Sequence, residues 1–455
     1  MDIIYIMSMN GRTEYLDLQP SNVVSTGLVS YRAGNPVIQF IIGEQDRYLV
    51  GQSLRFCGNI QIFKNSGKDI PLATDDVNIS PKLGMLGIID QIVLSSQRSK
   101  NVIEHIRYFG RWAASYYANI ASKGEAMGHL SESSLMLPNR LTSKTAVVDN
   151  LNGSASTNRA FTGSSFAVNL PTGLLSSSSP IGLSGKGWGV GGLLVEIHLT
   201  PDSQFIKAPA LPNAFYELSN LKLICEVVTP SVDELSRLMT QTSNVMEYNA
   251  ISSYFTSINS TNAIINFGLG LSRVLSVFCN FIPSAQLNSL EFDGFQTTPL
   301  INARTAAAGS TPASATVAPI KQLTFLKGGL KLPLQYSIDC NVRDLPTSTV
   351  SDPQIVRNFQ NAFMPFMKNL RNQISPITNN RLVEFDTTEY ADAGLNFGIG
   401  VSYDNISGEG VNFTNDNFGI NMETGLQEDN PHACFIFVRS KQTLAMNANG
   451  LQVIL

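Results

Sequence analysis

Residues 54–63 run Leu54-Arg55-Phe56-Cys57-Gly58-Asn59-Ile60-Gln61-Ile62-Phe63, and their reading decides the fold. Leu54, Phe56, Gly58, Ile60 and Ile62 alternate with Arg55, Cys57, Asn59, Gln61 and Phe63. Successive side chains of a β-strand leave opposite faces, so a period of two describes a strand with one apolar face. The pattern recurs. Leu193, Val195, Ile197 and Leu199 alternate with Leu194, Glu196, His198 and Thr200, and Leu221, Leu223, Cys225 and Val227 alternate with residues that include Lys222 and Glu226. Further strands are expected at 37–42, 87–94, 263–271, 274–282, 323–326, 396–403, 433–438 and 451–455. Clusters of Gly, Pro, Asn and Ser separate them, as an all-β sandwich requires.

Three helices interrupt the strands. The first is expected from Ser99, because Val102, Ile106, Phe109, Ala113 and Tyr116 recur at spacings of three and four. The second opens on a capping box, Ser231-Val232-Asp233-Glu234, in which hydroxyl and carboxylate satisfy each other's backbone donors. The third has Asp352 as N-cap and Pro353 at its first position, with the stripe Ile355, Phe359, Phe363, Phe366 and Leu370 and a break at Pro365. Strands, a helix and a polar loop therefore occur twice, with the capped helix between the rounds. The domains expected are 1–230 with an N-terminal arm (polar residues 10–21), a connecting helix or linker at 231–250, and 251–455. Two segments, 131–184 and 303–319, are low in complexity and too long for ordinary sandwich turns.

Composition narrows the role. At 455 residues the chain is too long for one core. Charged residues make up 15%, against the ~25% usual in soluble domains, while 43% are hydrophobic, so disorder does not explain the deficit. A surface polar through Asn, Ser, Thr and Gln repels its own kind weakly and suits an assembly. The net charge of -4, without a basic run, argues against nucleic-acid coating. Five dispersed cysteines (57, 225, 279, 340, 434) read as buried thiols rather than a disulfide frame or metal site. The first residues carry too short an apolar run for a signal peptide, and no stretch reaches the ~18 apolar residues of a membrane span. Five Asn-x-Ser/Thr sequons, at Asn78, Asn152, Asn259, Asn405 and Asn412, then read as loop composition.

No catalytic, cofactor-binding or metal-binding residue emerges. Gly187-x-Gly189-x-x-Gly192 has dinucleotide-fingerprint spacing but runs into a strand instead of opening a helix, and reads as a flexible lead-in. His105, His129, His198 and His432 are scattered, with His198 on a solvated face beside Glu196. Asp404, Asn405, Glu409, Asn412, Asn415 and Asp416 read as a solvated loop, though oxygen ligands suit calcium. Only Trp112 and Trp188 could serve a carbohydrate-binding or receptor-binding sandwich, the alternative function, and a cupin-type enzyme lacks its histidines.

Several segments, in order, resemble the double jelly-roll major capsid proteins of the adenovirus, tectivirus and virophage lineage, most of all those of polinton-like viruses and virophages. GMLGIIDQIVLSS (84–96) followed by NVIEHIRYFGRW (101–112) resembles the family's strand and following helix. GWGVGGLLVEIHLTPDSQFI (187–206) and FYELSNLKLICEVVTPS (215–231) resemble the strands that close the first roll. LSRVLSVFCNFIPSA (271–285), LPLQYSID (332–339), the helix from Asp352 and HACFIFVRSKQTLAMNANGLQVIL (432–455) resemble the second. The resemblance implies two consecutive eight-stranded jelly-roll sandwiches with a few short helices in loops. It also implies a non-enzymatic subunit without cofactor, synthesised inside the infected cell and located in the virion. Its partners would be two further copies in a pseudo-hexameric homotrimer, neighbouring trimers, and penton and minor capsid proteins. No specific nucleic-acid binding is expected, and an internal membrane is left open.

Overall fold

The computed structural model describes residues 11–22, 37–71, 75, 77–80, 83–120, 133–134, 164–295, 320–339, 398–403, 409–424, 431–447 and 450–455. The helix expected from Asp352, with Phe359, Phe363 and Phe366, lies outside them, as do 303–319, Cys340 and His129.

Among the described residues, eight principal strands form the first roll, beside three two-residue strands: β1 (Arg12–Leu18), β2 (Ile38–Ile42), β3 (Tyr48–Phe63), β4 (Ile89–Ser96), β5 (Val102–Arg107), β6 (Ser164–Asn169), β7 (Leu193–Leu199) and β8 (Phe215–Thr229). They pair antiparallel into two sheets, in the orders β1-β8-β3-β6 and β2-β7-β4-β5. The second roll has β9 (Ser243–Ile258), β10 (Asn262–Gly268), β11 (Val274–Pro283), β12 (Ile320–Lys327), a two-piece β13 (Leu330–Lys331 and Ile338–Asp339), β14 (Ile399–Ser402), β15 (Asn417–Thr424) and β16 (His432–Asn447). Its sheets are β9-β16-β11-β14 and β10-β15-β12-β13, and Gly450–Ile454 adds outside the path by pairing with β16. Counted from one to eight within either roll, the sheets read 1-8-3-6 and 2-7-4-5. That order, shared by both halves, is the jelly roll, two Greek keys folded into facing sheets. The chain is a double jelly roll.

The alternation that decides the fold holds in detail. Leu54, Phe56, Gly58, Ile60 and Ile62 are buried in β3, while Arg55 is exposed and Cys57, Asn59, Gln61 and Phe63 are half-buried. Gly58 is required because a Cβ there would press on Leu221 and Phe166. Opposite it, the β3–β8 register slips between Ser219 and Lys222, where Asn220 takes a positive φ of 52°. The extra residue bends β8 locally without turning its apolar side outward.

Four expectations change. Residues 102–107 are a strand and not the start of a helix. A turn with Lys100 at positive φ returns the chain beside β4, and Tyr108, also at positive φ, separates β5 from helix α1 (Phe109–Ile120). β-Branched Val102, Ile103 and Ile106 suit the sheet, and the helical stripe was a coincidence of spacing across two elements. Secondly, residues 12–18, expected within an arm, form β1 and pair along β8. Thirdly, in helix α2 (Val232–Met239) the Ser231 hydroxyl accepts from Glu234 N–H, but the Glu234 carboxylate binds Arg237 (2.8 Å), so only half the capping box forms. Fourthly, residues 164–184 of the first low-complexity segment are structured, with Leu170, Leu174, Leu175, Ile181 and Leu183 in the core. Asn78 of the first sequon is also buried, in a short strand.

Candidate functional site

Among the described residues, buried Glu104 and Arg111 both lie at the seam between the rolls. β5 is the edge strand of one sheet of the first roll, and β9 is an edge strand of the second. Glu104 of β5 shares the parity of Ile106 and points inward, 4% exposed. Its Oε1 accepts from Gly173 N–H (3.0 Å) and from Ile251 N–H of β9 (2.9 Å), and its Oε2 accepts from Leu174 N–H (2.9 Å). One carboxylate thus ties together a strand and a turn of the first roll and a strand of the second. Burial pushes its pKa up from the ordinary carboxylate range, against the pull of the Leu174, Ile251 and Gly173 N–H groups. Beside it, the Tyr248 hydroxyl donates to Ile103 O (2.8 Å) and lies 3.1 Å from Gln442 Oε1, and Arg107 N–H donates to Ser253 Oγ (2.9 Å). Side chains of both strands, in place of backbone pairing, join the facing edges of β5 and β9 here.

A second contact lies at α1. The Arg111 guanidinium stacks 4.4 Å from the ring centre of Phe435 on β16 and 5.4 Å from that of Phe295. Burial lowers its pKa to about 10, with Asp293 and Asp90 acting in the opposite sense. Phe295 ends a strap, residues 284–295, that leaves the second roll after β11 and lies on the first. Ala208 N–H donates to Leu290 O (2.6 Å), and the Ser80 hydroxyl donates to Asp293 Oδ2 (3.0 Å). Gly87 and Gly110 make room for the Phe295 ring, which a Cβ on either would reach at 2.9 Å. Tyr108 and Trp112 pack on Phe435 and Phe437, and the buried apolar residues of both rolls form one continuous cluster.

No protein-family model matches the chain, and no curated protein matches it by sequence. Solved structures do match. A chain of the PBCV-1 virus capsid superposes with a TM-score of 0.57 at 10% identity, over 98% of this chain and 97% of that one. The Faustovirus major capsid protein gives 0.56 at 10% identity, over 96% and 91%. The Sputnik virophage structure gives 0.54 at 12% identity, over 98% and 88%. The fold is that of the double jelly-roll major capsid proteins. Correspondence over nearly the whole length means that both rolls of this double jelly roll have counterparts in one chain of each of these structures.

Residues weighed for chemistry in the sequence do not converge. Asp416 pairs with Lys327 (2.8 Å), Glu409 with Lys441 (3.3 Å), and Asn412 Oδ1 accepts from Thr414 N–H, while Asp404 and Asn405 lie outside the described residues. His198 is half-buried on β7, and His105 lies 3.1 Å from Gln91 Oε1. Among the described residues no three His, Cys, Asp or Glu side chains are grouped for a metal. Burial pushes the Cys225 thiol up to about 12, and burial first and the neighbouring Cys434 second raise Cys279, which makes both poor nucleophiles. Trp112 and Trp188 are buried, so neither offers a ring to a sugar. The glycine run is not a loose lead-in either. Gly187, Gly191 and Gly192 hold positive φ while Trp188 between them is wholly buried, and Gly187 abuts the Thr242 carbonyl.

Glu104, Arg111 and Gly173 were not singled out in the sequence. The available signal was parity, since Glu104 falls in register with Ile106 once 102–107 is taken as a strand. Gly173 is testable at once. A Cβ on it would collide with the Asn249 carbonyl of β9 and crowd Glu104 Oε1. Gly173→Ala should cost about 2–3 kcal/mol through overpacking, read as a lowered urea midpoint with unchanged slope.

Proposed function

We propose that this chain is the major capsid protein of an icosahedral virus, a non-catalytic shell subunit that assembles as a trimer. The observation that carries the reading is the repeated 1-8-3-6 and 2-7-4-5 order, in two rolls welded along a buried seam. Two similar sandwiches in a rigid block give one chain two like faces, so three copies around an axis would present a pseudo-hexagonal outline able to tile a facet. The low charge of the sequence supports a role in an assembly. The proposed boundary between the rolls is α2, within the 231–250 expected from the sequence, of which residues from Ser243 on belong to β9. Neighbouring trimers, penton and minor capsid proteins are the proposed partners and the virion the proposed location, with no specific nucleic-acid binding. Light scattering on the purified chain, followed by negative-stain imaging, tests this. A stable trimer that packs into hexagonal arrays is expected, and a monomer that never assembles overturns it.

A further inference from the structure

Below the Glu104 contact the free edge of β9 opens into a cleft of about 780 Å³ between the rolls. The β9–β16 register is unbroken from Ser243 to Ile258, so backbone groups alternate strictly between the ladder and the free edge. Ile251 N–H fixes the parity, because it points away from β16 to Glu104. Residues 245, 247 and 249 therefore aim their N–H and C=O groups at the same free side. Val245 N–H is satisfied by Asn244 Oδ1 (2.9 Å). The Glu247 and Asn249 N–H groups have no hydrogen-bond partner among the described residues.

Elsewhere the protein closes such edges. Along β2, Ser21 N–H donates to Gln39 O (2.7 Å) and Gln39 N–H donates to Asn22 Oδ1 (3.1 Å), which blocks addition of a strand. On β9, Glu104 does the same for the Ile251 N–H. Below it the edge is left open from residue 244 to the Asn249 N–H, up to the Asn249 carbonyl that the Gly173 backbone covers, and it faces a cavity instead of a flat surface. The opposite wall is the turn Ser176–Ser179 with Gln52. The charges at the mouth are already paired, since Glu247 holds Arg273 (2.6 Å) and Lys441 (2.9 Å), Lys441 also reaches Glu409 (3.3 Å), and Arg439 has a partner of its own.

We infer that this cleft binds an extended, uncharged polypeptide segment of a partner protein, which adds to β9 at residues 244–249 as a further strand. Alternating N–H and C=O groups along an edge are complementary to another peptide backbone. Hydroxyl and amide walls with neutralised charges favour Ser, Thr, Asn and small side chains over Asp, Glu, Lys or Arg. At about 3.4 Å per residue the edge accommodates roughly six residues. The inference goes beyond the shell reading and does not rest on it.

The test uses the full-length protein and a synthetic probe, the capped peptide acetyl-Thr-Val-Thr-Val-Thr-Asn-amide, followed by hydrogen exchange. In the free protein the Glu247 and Asn249 amides should exchange at least tenfold faster than that of Ile251. Saturating probe should slow both at least tenfold, whereas a probe N-methylated at alternate residues should leave them fast. Glu247→Pro, which removes an outward N–H without touching the β16 ladder, should abolish the protection, and Glu247→Gln should retain it. Protection already complete in the free protein would show the edge filled by the chain itself. That result, equal protection by the N-methylated probe, or no protection at all would overturn the inference.

Discussion

Glu104→Ala is expected to leave the chain unable to accumulate as a soluble folded protein at 37 °C. The substitution strands three backbone donors, Gly173, Leu174 and Ile251 N–H, in an interior where the carboxylate itself is 4% exposed. Each buried donor left unpaired costs about 1–3 kcal/mol, and the lost side chain leaves a cavity besides. The sum, roughly 4–8 kcal/mol, is comparable with the whole stability of a typical domain. Glu104→Gln separates shape from charge. Its amide oxygen can keep the Gly173 and Ile251 bonds, but its NH₂ then faces Leu174 N–H, so a loss of about 1–3 kcal/mol is expected. Denaturant unfolding of the glutamine variant and soluble yield of the alanine variant check the order. Equal, small losses from both would show that the seam does not depend on this carboxylate.

The same residue has a pH signature. Its folded pKa is raised, with burial the larger influence. A carboxyl whose folded pKa lies above its unfolded value favours folding fully below the unfolded pKa, and that contribution is lost as pH rises through the folded pKa. Glutamine at 104 does not titrate, and other groups cancel in the comparison. The stability advantage of the natural protein over Glu104→Gln should therefore widen as pH falls from neutral toward the ordinary carboxylate range. A narrowing advantage would mean that the three N–H donors outweigh burial.

Period-two segments made the sandwich legible because a strand with one buried face writes its geometry directly into the sequence, as at 54–62 and 193–199. The doubling was legible from the order of elements, since α2 carries a cap at Ser231 that marks a start without reference to tertiary contacts. The seam was not legible, for a physical reason. Its members are individually ordinary residues, and Glu104, Gly173, Ile251, Arg111 and Phe295 are brought together by contacts between residues far apart in the chain. Local periodicity misled at 102–116, where a strand and a helix in succession imitated one helical stripe. It was silent at 170–184, where glycine, serine and proline, read as loop, fold against the core because Thr172 and Leu174 are held by hydrogen bonds to their neighbours and to Glu104.

Arg111→Ala is expected to cost about 3–5 kcal/mol and to release the strap from the first roll. The cost of removing one member of a buried charged group comes largely from what remains. Asp90, already raised by burial, would lose an opposing cation and be left beside a void, and Asp293 would lose the same neighbour. The faces of Phe435 and Phe295 would lose a stacked cation, itself worth about 2 kcal/mol when desolvated. Arg111→Lys keeps the charge but not the plane, and a compact ammonium cannot lie flat on both rings. It should recover less than half the loss. Arg111→Met fills the volume without charge and tests whether packing or attraction matters more. Unfolding midpoints rank the three, and limited proteolysis within 284–295 reports the strap. Cleavage there should accelerate in Arg111→Ala while the seam at Glu104 stays protected, because the two contacts share no side chain. Protection of the strap in all three variants would show that Leu290 and Asp293, through Ala208 and Ser80, hold it without Arg111.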